Sequence, residues 1–121
     1  SKMAEYRLAE SESKFADIIW EEAPINSTEL VRKCEEILGW KKSTTYTVLK
    51  KLCHRGIFEN KDAMVTCLIS KKEFYGGKSR QFVEDTFGGS LPAFLTAFMG
   101  KKKLTDAQIE EMKELIESYR G

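Results

Sequence analysis

A chain of 121 residues, 32% charged and 41% hydrophobic, with a formal net charge of +1, has room for one domain with a modest core. Only two prolines, among many Lys, Glu, Leu and Ile, exclude a disordered or an all-β chain. No apolar run approaches the roughly 18 residues of a membrane span, no charged-then-apolar leader opens the chain, and a near-zero sum of charges argues, on its own scale, against a nucleic-acid partner.

Residues 1–10 show no clear periodicity and read as an arm, with Tyr6 and Leu8 able to pack. Residues 11–22 repeat Phe15, Ile18 and Ile19 on one side, a helical stripe with Trp20 on its flank, and Pro24 closes the segment. Asn26, three residues before Glu29, makes a capping-box pattern that opens a second helix. Its inward stripe is Leu30, Cys34 and one of Ile37 and Leu38, and Gly39 ends it. Up to residue 40 there are five basic against nine acidic side chains. A third helix is expected over 42–55, with Thr45, Val48, Leu49 and Leu52 at helical spacing and Gly56 beyond its end.

The period then changes to two. Residues 57–59 and 65–69 read as short strands around the bend Asn60-Lys61-Asp62-Ala63. Three helices followed by a hairpin is the order of a winged helix-turn-helix, in which the third helix enters the major groove and the hairpin flanks the backbone. Residues 41–61 carry six basic side chains against Glu59 alone, and they span those two DNA-facing elements. A polyanion meets the field within a Debye length of roughly 8–10 Å, so this window outweighs the whole-chain sum.

Residues 71–87 form a further helical stretch with Phe74, Tyr75, Phe82, Val83 and Phe87 as its apolar members. Gly76-Gly77 costs about 1 kcal/mol per glycine relative to Ala in a helix interior, so a kink or split is expected there, and Gly88-Gly89 is a second break. Residues 90–99 are apolar almost all round, which a chain this short cannot bury in its own core. A symmetric dimer is the economical answer. A ligand pocket among the aromatic and Met side chains of 74–99 is the other reading, disfavoured because no polar group is seen to converge there. After the polar link 101–103, Thr105 and Gln108 cap a last helix with the stripe Ile109, Met112, Leu115, Ile116 and Tyr119.

Nothing in the chain points to catalysis. Cys34, Cys53 and Cys67 are odd in number and contain no Cys-x-x-Cys pair, so they make neither a disulfide framework nor a zinc ribbon. They fit a reducing cytosol. His54 is the only histidine, which leaves no material for a catalytic triad or a His-rich metal site, and it reads as a surface cation or helix-end residue. No enzymatic activity, cofactor or metal is therefore expected.

The run from Ser13 to Trp20, then Pro24, Glu29, Trp40, Thr44, Thr47, Leu49, Leu52 and Gly56, resembles the penicillinase-repressor and methicillin-resistance-regulator family. Phe87-Gly88-Gly89-Ser90-Leu91, Phe98, Ile109-Glu110-Glu111 and Leu115 continue the likeness, which covers roughly residues 7–120. The resemblance implies a homodimeric bacterial repressor whose winged helix binds an operator palindrome and whose C-terminal helices dimerise. It implies DNA-reading residues at Ser43, Thr44, Tyr46, Thr47 and Lys50, opposite the apolar stripe. Thr44 and Thr47 match the family, whereas Ser43 and Tyr46 stand where it usually has a cation. Lys41, Lys42, Lys51, Arg55 and Lys61 are assigned to phosphates. The implied dimer surface is Phe82, Leu91, Phe94, Leu95, Phe98, Ile109, Met112, Leu115 and Ile116. Antibiotic-responsive members of the family are inactivated by proteolysis at an Asn-Phe bond downstream of a sensor. That position here reads Ala97-Phe98, so the same release is in question. The copper-responsive branch carries C-terminal Cys-x-Cys motifs, and no cysteine follows Cys67.

The expectation is thus a mainly α chain with a small β-hairpin. A winged helix-turn-helix domain over 1–70 is followed by a helical dimerisation domain over 71–121, together a cytoplasmic dimeric repressor controlling resistance genes. Two readings compete with it. One is a protein–protein adaptor whose basic window is solvated surface, and the other a thiol-based redox regulator using Cys53.

Overall fold

Phe15, Ala16, Ile18 and Ile19 fall on one side of a helix, and burying that side organises the N-terminal half of the protein. The computed structural model describes residues 6–121 and begins its regular structure with α1 (Glu10–Glu22). Ala9 has no side chain with which to cap this helix, so the carboxylate of Glu12 reaches back to accept the Ala9 backbone N–H at 2.9 Å. A cis Ala23–Pro24 bond turns the chain into β1 (Ile25–Asn26). From there α2 (Ser27–Leu38) starts, with the Asn26 side chain accepting the Thr28 N–H at 2.8 Å. Only half of the expected reciprocal cap forms, because Glu29 turns outward to Arg32 instead. Leu30 and Cys34 are buried and Leu38 is half-buried, whereas Ile37 is 61% exposed, which settles the choice between the last two.

The third helix, α3 (Lys42–His54), inserts Thr45, Leu49 and Leu52 between α1 and α2, with Val48 half-buried. The hairpin that follows differs from the sequence expectation in where it bends. β2 (Phe58–Lys61) continues through Asn60 and Lys61, and β3 (Met64–Cys67) begins three residues after Lys61. The turn is Asp62-Ala63 alone, both at positive φ, the conformation whose twist suits a two-residue hairpin. Leu68 and Ile69 are no longer strand, and both donate their backbone N–H to the Ile57 carbonyl. The sheet also has a third member. β1 pairs antiparallel with β3, Ile25 opposite Val65, giving the order β1-β3-β2. Two residues carry no readable period, so the pattern of the chain contains no sign of this strand.

Ser70, with Glu73 reciprocating, caps α4 (Lys71–Phe87). The core does not stop at that cap. Phe74 is 1% exposed, and its ring lies 5.6 Å from Trp20, 5.9 Å from Tyr6 and 5.4 Å from Tyr75. Trp20 in turn packs on Phe58 and donates its indole N–H to the Ile69 carbonyl at 3.0 Å, and Lys71 pairs with Asp17 at 3.0 Å. One end of α4 is thereby part of the winged-helix core.

Gly76-Gly77 does not split this helix, which runs uninterrupted for 17 residues. Gly77 is buried beneath the Tyr6 ring, and a methyl group there would overlap that ring. The glycine serves a close approach of the N-terminal arm, and the packing it permits offsets its poor helix propensity. Gly88 and Gly89 do end the helix, both at positive φ, as the double break in the sequence suggested. α5 (Leu91–Met99) folds back on α4 through four rings, Phe82, Phe87, Phe94 and Phe98, with neighbouring centroids 5.8–6.4 Å apart. Thr105 and Gln108 form the expected capping box of α6 (Asp106–Ser118). No residue of α5 or α6 is buried, although both carry large apolar side chains.

The two adjacent glycines should respond oppositely to the same substitution. At Gly76 an added methyl meets only the flexible end of Arg80, so Gly76→Ala should raise Tm by about 4 °C, the worth of roughly 1 kcal/mol of helix propensity. Gly77→Ala should lower Tm, and in a Tyr6→Ala background it should not. Thermal denaturation of the four variants checks this.

Candidate nucleic-acid interface

With Thr45, Leu49 and Leu52 turned inward, the helical period turns Ser43, Thr47 and Lys50 outward along one line of α3, and all three are exposed. Thr44 is exposed beside that line. His54 continues it by one more turn at the C-terminal end and is also exposed, so it belongs to the same outward ridge. Its exposure at the helix end fits its reading as a surface cation or helix-end residue, and the spacing 43, 47, 50 and 54 is the signal that adds it to the ridge.

The N-terminus of α3 is unlike those of the other helices. Asn26, Ser70, Ser90 and Thr105 cap α2, α4, α5 and α6 with side-chain oxygens, and α1 has Glu10 and Glu12 in its first turn. α3 has neither device among the described residues: Lys41 at the cap position makes no side-chain hydrogen bond, and its first turn holds no acid. The free N–H groups and the positive end of the helix dipole are left open next to Lys41 and Lys42, an arrangement that favours phosphate oxygens.

Several of the side chains assigned to DNA by resemblance already have partners within the chain. Thr47 donates its hydroxyl proton to the Ser43 carbonyl at 2.9 Å, leaving the oxygen as an acceptor and the methyl free. That suits a base-edge donor or a thymine methyl better than a phosphate. Tyr46 is half-buried, and its hydroxyl donates to the Ser27 hydroxyl at the start of α2 at 3.2 Å. The Lys42 ammonium lies 6.0 Å from the centre of the Tyr46 ring. Tyr46 therefore sits in the seam between α2 and α3, beside the ridge of Ser43, Thr47 and Lys50.

Lys51 is likewise engaged, by the Glu12 carboxylate of α1 at 2.7 Å. That contact, with further help from the Ala9 N–H and the charge of Arg55, holds the Glu12 carboxyl below the usual carboxylate range against the opposing effect of burial. Lys61 is exposed at the end of β2, but Glu59 and Asp62 flank it, so the wing itself is not basic and the positive window resides on α3. Cys53 is half-buried and burial pushes its thiol upward, which disfavours the thiolate a redox sensor needs. Among the described residues no group of His, Cys, Asp and Glu is arranged to hold a metal ion, and no helix is long and apolar enough to cross a membrane.

The groove between α4 and α5 departs from expectation. It is lined by Phe82, Val83, Leu91 and Phe94 together with Lys78, Ser79, Arg80 and Glu84, polar groups not expected there from the sequence. Of the expected dimer residues, Phe98 is 68% exposed and Ile116 60%, with Phe82, Leu91, Leu115 and Ile109 also exposed, while Phe94, Leu95 and Met112 are half-buried.

Architecture and exposed ridge together define a winged helix-turn-helix protein with a helical C-terminal extension. The model of the penicillinase repressor family matches residues 8–118, and the chain belongs to that family. It is 21% identical to the penicillinase repressor of Bacillus licheniformis over 119 residues, 95% of this chain and 93% of the relative. It is 20% identical to the methicillin resistance regulatory protein MecI of Staphylococcus aureus over 115 residues, 92% of this chain and 94% of that protein. The MecI of Mammaliicoccus sciuri is 19% identical over the same length. Members of this family are DNA-binding transcriptional repressors and not enzymes.

Two outcomes follow from the seams of α3. Tyr46→Phe should cost about 0.5–1.5 kcal/mol in chemical denaturation, the worth of one hydrogen bond, with little change in operator preference. Because the Glu12 carboxyl is lowered in the folded state, its stabilisation is complete above the ordinary carboxylate range and is lost as the pH falls through the folded value. Wild type should thus melt above Glu12→Gln at neutral pH, and the two should converge in acid.

Proposed function

We propose that the protein is a homodimeric repressor that binds a palindromic operator, with α3 of each protomer in successive major grooves about 34 Å apart. The observation that carries this is the outward face of α3: an uncapped, acid-free N-terminus beside Lys41 and Lys42, leading into the exposed line Ser43, Thr47, Lys50. Lys41 and Lys42 hold phosphates, while Ser43, Thr44, Thr47 and Lys50 meet base edges. An adaptor surface has no use for an open helix N-terminus surrounded by lysines.

Dimerisation rests on α4, α5 and α6. Phe98, Ile109, Leu115 and Ile116 form apolar stripes on helices that bury nothing within one chain, and a second copy supplies the missing cover. The division of labour is a DNA-binding unit over 1–70 and a dimerising unit over 71–121, acting in the bacterial cytoplasm. The relatives are named for penicillinase repression and methicillin resistance, and genes of that kind are the proposed targets. Release by a sensor protease would meet Ala97–Phe98 inside α5, a bond that must first unwind from the helix.

A gel-shift titration with the chain's own upstream DNA tests the reading. Salt-sensitive binding in the nanomolar range is expected, and binding indifferent to salt and sequence overturns it. Phe98→Asp and Ile116→Asp alter side chains that are exposed in a single chain, so the fold should survive. Both should nevertheless give monomers by light scattering, with operator affinity reduced at least a hundredfold.

A further inference from the structure

Where a cation pairs with an acid among the described residues, the acid is in nearly every case well exposed, as Glu10 is beside Lys14 and Glu110 beside Lys113. Such pairs are weak and yield readily to a phosphate. Glu12 is different. Its side chain is 11% exposed, one oxygen is fixed by the Ala9 N–H at the start of α1, and the other holds Lys51 at 2.7 Å. Lys51 is itself 61% exposed along its side chain, on the edge of α3 that faces α1. The carboxylate cannot follow Lys51 outward, and a lysine that leaves it abandons a nearly buried charge, which is costly. Arg55, one turn further along α3, lies close enough for its charge to stabilise the same carboxylate.

We infer that Glu12 is a specificity-determining residue, a fixed anion that withholds Lys51 from DNA phosphates and so restrains sequence-independent binding. The inference rests on the DNA-binding reading above. Sequence-independent affinity grows with the number of cations that meet phosphates, each adding about 0.9 to the slope of log K against log salt. Base readout comes from Ser43, Thr44, Thr47 and Lys50, none of which is bonded to Glu12. Removing the anion therefore strengthens binding to any duplex without adding information about sequence, and the margin between operator and bulk DNA narrows.

The test is fluorescence anisotropy of the full chain on a random-sequence duplex across a salt series. Glu12→Gln keeps an oxygen for the Ala9 N–H while removing the charge. In the dimer two lysines are released, so it should steepen the salt slope by about 1.8, or about 0.9 per protomer, and tighten binding roughly sixtyfold at 0.1 M salt. Lys51→Gln alone should leave the slope nearly unchanged, and the double variant should return to wild type. Should Glu12→Gln fail to fold, Lys51→Gln still decides: an unchanged slope supports withholding, and flattening by about 1.8 for the dimer overturns it. A folded Glu12→Gln with the wild-type slope overturns it as well. A wild-type chain that binds no duplex overturns the DNA-binding reading and this inference together, whereas a wild type that binds normally leaves the variants to judge this inference alone.

Discussion

Phe74 is the constraint on which the rest of the molecule depends. It comes from α4, yet it sits against Trp20 and Tyr6, with Phe58 also packed on the indole, inside the core that α1, α3 and the sheet build. Aromatic rings packed at these distances contribute both buried area and edge-to-face attraction, and they tolerate little sliding. The Trp20 bond to the Ile69 carbonyl and the Lys71–Asp17 pair fix the same junction from two further directions. The angle at which α4 leaves the winged helix is thus set by packing, and the position of α5, stacked on the far end of α4, follows from it.

Charge is organised on a local scale. The near-zero total conceals a basic helix backed by acidic ones, and the structure sharpens this further: the wing contributes one lysine between two acids, and Lys51 on the reading helix is tied to α1. What remains free to meet a polyanion is concentrated at the start of α3 and along its outer line. A small, well-placed positive region favours a particular docking geometry over general adhesion to nucleic acid.

Legibility in the sequence followed the range of the interaction. The helical stripes of α1, α2, α3 and α6 and the cap at Thr105 are local patterns, and they stand where spacing placed them, while the Ser70–Glu73 cap of α4 is an equally local pattern that the sequence analysis does not name. β1 was invisible because a two-residue strand exists only through its pairing with β3, forty residues onward. Gly77 looked like a helix breaker because the ring that needs its empty Cβ position belongs to Tyr6 at the other end of the chain. Tyr46 and Lys51 sit at the flanks of the outward face, where a shift of a few tens of degrees decides between solvent and a neighbouring helix. Ser27 and Glu12 decide it, and neither is near in sequence.

An unbroken α4 has a geometric consequence for the assembly proposed here. Seventeen residues at 1.5 Å each make a rod about 25 Å long, joined to the reading unit at one end and to the dimerising helices at the other. The distance and twist between two half-sites then become properties of helix length, counted in residues. One inserted residue would turn the far end by about 100° and carry the paired reading helices out of phase with the duplex, while an inserted full turn would nearly restore phase at a longer span. Operators in this lineage should therefore diverge in base sequence more freely than in the spacing of their halves.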